Sequence, residues 1–146
     1  MLPTHSLLTQ ADIAAAVHAT LSDDLHVRAA LGNPARLYDA VPDEPIHPYL
    51  HYGRIRTEDR SGDAASVEAH TLTFHLRSRY RGKAEVMGIL ATVLRALSRE
   101  RLRQRLPGVL SVSSRYTDSF TARDGHSRHS VLRLGITVAE VVEMAA

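Results

Sequence analysis

The apolar positions of residues 69–97 change period once. In Ala69-His70-Thr71-Leu72-Thr73-Phe74-His75-Leu76-Arg77, Leu72, Phe74 and Leu76 fall on one face, and Thr71, Thr73, His75 and Arg77 on the other. Period two predicts a half-buried strand. From Lys83 the apolar positions are Val86, Ile89, Leu90, Val93, Leu94 and Leu97, a stripe at helical spacing. A strand therefore feeds a helix through residues 78–82, and their apolar faces can close on each other.

The flanking sequence adds elements to this pair. Thr9 or Asp12 can cap a first helix, whose apolar side is Ile13, Ala16, Val17 and Leu21. Ser22-Asp23-Asp24 interrupts and can recap. Leu25, Val27, Ala30 and Leu31 then lead to Gly32, which suits the position just past a helix. Asn33-Pro34 ends the helical region 9–31, because a residue before proline avoids the αR well. Residues 1–8 are expected to form an arm. Residues 37–42 read as a short extended piece. Pro42, Pro45 and Pro48 forbid regular ladders and predict an ordered loop. Residues 49–56 predict a second strand, and residues 57–65 an exposed hairpin loop. The long helix, 83–98, is expected to fade where Arg99, Glu100, Arg101, Arg103 and Arg105 crowd before Pro107-Gly108.

The last two strands carry a register argument. Leu110, Val112, Ser114 and Tyr116 share one face, as do Leu132, Leu134, Ile136 and Val138. A two-residue turn at Asp124-Gly125 would put the two sets on opposite faces of the sheet. A three-residue loop, Arg123-Asp124-Gly125, pairs 112 with 136, 114 with 134 and 116 with 132 and keeps them together. It requires Gly125 at positive φ. The fold expected over residues 1–146 is a single α+β domain. Residues 36–141 hold a mostly antiparallel sheet of four to five strands and its long helix, and two main helices pack on one face.

Composition narrows the chemistry. The 146 residues are 44% hydrophobic but only 5% aromatic, with no Trp, so the core is aliphatic. No cysteine is present, which excludes disulfides, thiol catalysis and thiolate metal sites. The 18 basic and 16 acidic residues leave a net charge of +2, a balance that argues neither for nor against nucleic acid, because a strongly basic domain would show a larger excess. No apolar run approaches ~18 residues, and residues 1–5 lack the pattern of a secretory signal. The expectation is a soluble protein made in the cytoplasm.

No phosphate-cradling loop is present: Arg81-Gly82-Lys83-Ala84 lacks both the upstream Gly and the Ser or Thr of a P-loop. Neither a dinucleotide fingerprint nor a nucleophile elbow occurs. Among nine histidines, His47 and His51 are four apart but separated by Pro48, and His126 and His129 flank a turn with Arg123 and Arg128. Neither pair has the helical spacing that places two imidazoles on one metal. The expectation is a non-enzyme with no catalytic, cofactor-binding or metal residues.

What remains are contact surfaces. Arg77, Arg79 and Arg81, with Lys83, sit where the central strand ends. Arg95, Arg99, Arg101, Arg103 and Arg105 decorate the end of the long helix. Each group is either a solvated face, aided by the helix dipole, or a protein or nucleic-acid contact. The polar face of Thr71, Thr73, His75 and Arg77 either meets water or is covered by another subunit. The loop with Glu58, Asp59 and Arg60 is either mobile or reaches a neighbour.

Four pieces in order resemble the tail terminator (tail-completion) family of long-tailed phages and gene transfer agents. They are Leu37-Tyr38-Asp39-Ala40-Val41-Pro42, Pro48-Tyr49-Leu50-His51-Tyr52-Gly53, His70-Thr71-Leu72-Thr73-Phe74-His75-Leu76-Arg77-Ser78 and Ser127-Arg128-His129-Ser130-Val131-Leu132-Arg133-Leu134. The resemblance spans roughly residues 10–140. It implies an α+β subunit of a hexameric ring that caps the tail tube and joins it to the neck. The implied partners are the major tail tube protein, a neck or head-completion protein, and DNA passing through the lumen without sequence-specific contacts. The implied location is the tail–neck junction of a virion or phage-like particle assembled in the bacterial cytoplasm. The interface candidates are Thr71, Thr73, His75, Arg77, Arg79, Arg81, Glu58, Asp59 and Arg60. Two other readings stand beside it: a nucleic-acid-binding α+β module using the Arg clusters, and a small-molecule enzyme using the histidines.

Overall fold

The structure is a computed structural model that describes the backbone of residues 3–6 and 9–144 and the side chains of residues 9–140. Within the expected arm, Pro3–Ser6 is a strand, β1; residues 1, 2, 7 and 8 lie outside the described residues.

Helix α1, Gln10–Ser22, starts where local chemistry dictates. The Asp12 N–H donates to Thr9 Oγ1 and the Thr9 N–H donates to Asp12 Oδ2, a reciprocal cap. Asp24 caps α2, Leu25–Leu31, by accepting the Val27 N–H at 2.9 Å. That helix ends at Gly32, whose φ of 94° a side chain would resist. Two-residue β2, Leu37–Tyr38, runs parallel to the start of β3, Tyr49–Asp59. The expected loop 57–65 is shorter than the charge pattern suggests. Thr57, Glu58 and Asp59 continue β3, paired with His70, Ala69 and Glu68 of β4, Val67–Ser78. Cross-strand pairing overrides the low strand propensity of Glu58 and Asp59.

Helix α3, Ala84–Ala96, buries Val86, Ile89, Leu90, Val93 and Ala96 as its stripe requires, and Leu97 follows it into the core. The chain does not fade there. Ser98 accepts the Arg101 N–H and starts a second helix, α4, Arg99–Arg103, whose Leu102 is fully buried. One apolar residue among charged neighbours suffices to dock that turn. The sheet closes with β5, Val109–Thr121, and β6, Arg128–Ala139, which runs on into β7, Val141–Met144, the partner of β1.

The five-stranded sheet has the order β2-β3-β4-β6-β5, antiparallel except at β2. The fold is α+β, with the helices on one face. Against them lie Leu72, Phe74 and Leu76 of β4 and Leu132, Leu134, Ile136 and Val138 of β6, none more than 3% exposed.

The β5–β6 register follows the expectation at Val112↔Ile136 and Ser114↔Leu134, then departs from it. Arg115 is an extra residue, so Tyr116 pairs with Arg133 and Thr117 with Leu132. Leu110 is a second extra residue, which turns Val109 into the core and leaves Leu110 exposed. Each bulge shifts the facing by one position. The expected shared face of Leu110 and Tyr116 with the core is therefore lost; both are exposed. The turn holds four residues rather than three, since Thr121 pairs with Arg128 and the Ala122 N–H donates to Ser127 O. Gly125 does have positive φ, 74°, and its N–H donates to Ala122 O.

Candidate functional site

The sheet face opposite the helices carries the chemistry. Antiparallel pairing aligns its residues in rows across the strands. One row is Arg56, Thr71 and Gly135, and the next is Thr73, Arg133 and Tyr116. His51, His75, Val131 and Asp118 follow, then Tyr49, Arg77, His129 and Phe120. Thr71, Thr73, His75 and Arg77 thus share one face as the alternation predicts, and all four are half-buried. Arg79 and Arg81 leave the end of β4 and are exposed. Glu58, Asp59 and Arg60 lie at its other end, about 36 Å away at ~3.3 Å per residue. Glu58 is shared by Arg56 and Arg60, each at 3.4 Å, and Asp59 accepts the Ser61 N–H at 2.8 Å.

The basic end of β4 meets the proline loop. His47 stacks near Tyr49 with ring centroids 5.1 Å apart, and Asp43, Glu44, Arg77 and Arg79 line the same cleft of about 430 Å³. No ion pair forms across it among the described residues. Burial, then Arg79 and Arg77, push the His47 imidazole below its ordinary value.

The Arg-rich segment after α3 behaves differently from the first basic group. Arg101 pairs with Asp24 and Arg105 with Asp23, tying α4 to the α1–α2 junction. Of the five arginines between Arg95 and Arg105, Arg101 and Arg105 are thus paired with the α1–α2 junction, and Arg99 with its neighbour Glu100.

The histidines that meet are not the pairs suggested by sequence spacing. His51, His75 and His129 come from three strands, with ring centroids 5.8 Å and 5.2 Å apart. His75 Nδ1 lies 3.0 Å from His129 Nε2, and Phe120 closes the row 4.9 Å from His129. Only strand order, which spacing does not reveal, could have found this row. Among the described residues, no three His, Cys, Asp or Glu side chains are placed to hold a metal.

Burial, then Arg77 and His75, push His129 down to about 4; Asp118 opposes them. His75 is lowered by burial, then His51 and Arg77. His70, on the core face, is lowered by burial. It meets Thr57 Oγ1 at 2.9 Å through Nδ1, and its buried Nε2 has no partner. In the unfolded chain these imidazoles take up protons near pH 6.5, whereas the folded chain resists. Stability is therefore complete above about pH 6.5 and falls as pH drops toward about 4. Urea midpoints at pH 7 and pH 4.5 check this. The midpoint should fall in acid, and by less in His129→Gln; a wild-type midpoint independent of pH would refute it.

Comparison with known proteins decides the family. The family model described as tail completion protein gp17 matches residues 15–139. The chain belongs to that family. This tail completion protein is similar in fold to a chain in a solved structure described as the virion of a native gene transfer agent (GTA) particle. The TM-score is 0.74 at 20% identity, over 92% of this chain and 99% of that one. No curated protein matches at a significant level. The tail completion protein is a structural protein of the tail.

Proposed function

We propose that this chain assembles head-to-tail into a closed ring, hexameric as the family resemblance implies, that terminates the tail tube. The ring joins the tube to the neck, contacts the major tail tube protein on one side and a neck or head-completion protein on the other, and lets DNA pass through its lumen. It works at the tail–neck junction of a phage or gene transfer agent particle, after assembly in the bacterial cytoplasm. Its role is structural rather than catalytic.

One observation carries the reading: the opposed charge at the two ends of β4. Residues 77–83 hold Arg77, Arg79, Arg81 and Lys83 with no carboxylate; residues 58–68 hold Glu58, Asp59, Asp63 and Glu68 against Arg60 alone. Arg77, Arg79 and Arg81 form no ion pair among the described residues. Complementary ends on one subunit favour a heterologous contact, which closes into a ring when the rotation permits. Thr71, Thr73 and His75 lie between the two ends, on the strand face opposite the helices.

The double reversal Arg77→Glu with Arg79→Glu is expected to convert the ring to monomer by native mass spectrometry and light scattering. Raised salt should weaken the wild-type ring, because contacts between exposed charges are screened. A ring that survives the reversal, or a wild-type chain that stays monomeric at tens of micromolar, would sink the reading.

A further inference from the structure

Four arginines converge on the middle of the strand face, from positions far apart in sequence. Arg54 sits in the bulge of β3 between Tyr52 and Ile55. Together with Arg56 and Arg133 it lines a depression of about 500 Å³ whose floor is Thr71, Thr73 and His75. Arg115 reaches the same face by crossing Gly135. A Cβ at that glycine would stand 2.5 Å from Arg115 Nε and 3.3 Å from its Cγ, so the bare backbone makes room for the arginine. Glu58 is the one carboxylate lining the depression, and it is already divided between Arg56 and Arg60. Arg54 and Arg115 have no ion-pair partner among the described residues. Arg133 lies 4.9 Å over the Tyr116 ring, a cation–π contact.

This geometry points to a cradle for the phosphate backbone of duplex DNA. Guanidinia supply only donors, in a fork that matches phosphate oxygens, and the two Thr hydroxyls can donate beside them. No Tyr, Phe or Trp lines the depression, so it offers unstacked bases no platform of those rings, which favours the duplex over a single strand. Contacts of this kind position a duplex without reading its sequence. The arrangement differs from both basic segments visible in the sequence, and it does not require the chain to be in a ring.

The test is binding of the full-length chain to a fluorescein-labelled random-sequence 30-bp duplex, by anisotropy across a salt series. Four engaged guanidinia should give a log–log salt slope of about −3 to −4. Arg54→Gln with Arg133→Gln should reduce that slope by about 2 and weaken binding roughly tenfold or more at 0.1 M salt. Gly135→Ala, which displaces only Arg115, should remove about 1 from the slope. Arg95→Gln with Arg103→Gln, on exposed helical positions, should leave binding unchanged. Light scattering on the same samples separates this proposal from the ring. A ring that persists while DNA affinity falls supports the cradle. Wild-type chain that binds no duplex at 50 mM salt overturns it, whether or not rings form. So does equal weakening by the Arg95 and Arg103 pair, or loss of ring and DNA binding together, which would make the face a subunit contact.

Discussion

Leu102→Ala is expected to lower the unfolding free energy by about 3 kcal/mol, within the ~2–5 kcal/mol range for truncating a buried leucine. Leu102 is the sole apolar residue of the five in α4 and is 0% exposed. A helix of that length has no stability of its own. Its place between α1 and β5 rests on Leu102, the Ser98 cap and the two ion pairs. Truncation leaves a void that those polar contacts cannot fill. Urea unfolding should show a lower midpoint with an unchanged slope. A loss under about 1 kcal/mol would mean that α4 is not anchored by this side chain.

Asp24→Ala is expected to cost about 2 kcal/mol. Half of that is the α2 cap, worth about 1 kcal/mol. The rest is the pair with Arg101, where the Asp24 side chain is 4% exposed and the Arg101 side chain 47% exposed. That exposure keeps the pair well below the cost of breaking a fully buried one. Burial opposes the charge on Asp24, but the Val27 N–H, then Arg101 and the His26 N–H, outweigh it and hold the carboxyl below its ordinary value of 3.8. The stabilisation is therefore present above about pH 3.8 and is lost as pH falls below it. Asn caps as well as Asp, so Asp24→Asn should recover the cap and forfeit the pair. A double-mutant cycle with Arg101→Ala should return a coupling of about 0.5–1 kcal/mol. A coupling of zero would reduce Asp24 to a cap.

Elements written by neighbouring residues were legible in the sequence. The Thr9 and Asp24 caps, the α3 stripe, the β4 alternation and the positive φ of Gly125 each depend on side chains a few positions apart. What escaped depends on distant partners. The bulges at Leu110 and Arg115 follow from how β5 seats on β6, and no local signal marks them. Charge density around Leu102 hid the single residue that docks α4. Arg133 could have been placed outward from its position between Leu132 and Leu134. Its company with Arg54, Arg56 and Arg115 could not, because strand order is a property of the whole chain.

The position of β4 in the sheet has a consequence for how the chain is made. One of its neighbours, β3, precedes it; the other, β6, begins only at Arg128. During synthesis β4 therefore waits, through the making of α3, α4 and β5, with one hydrogen-bonding edge open. Leu72, Phe74 and Leu76 cannot be fully enclosed until the far strand emerges. Such late, non-local pairing slows folding and prolongs exposure of apolar surface. The seam that completes the five-stranded sheet thus closes late, and a ribosome stalled before residue 128 would hold a half-sheet ready to pair with the wrong chain.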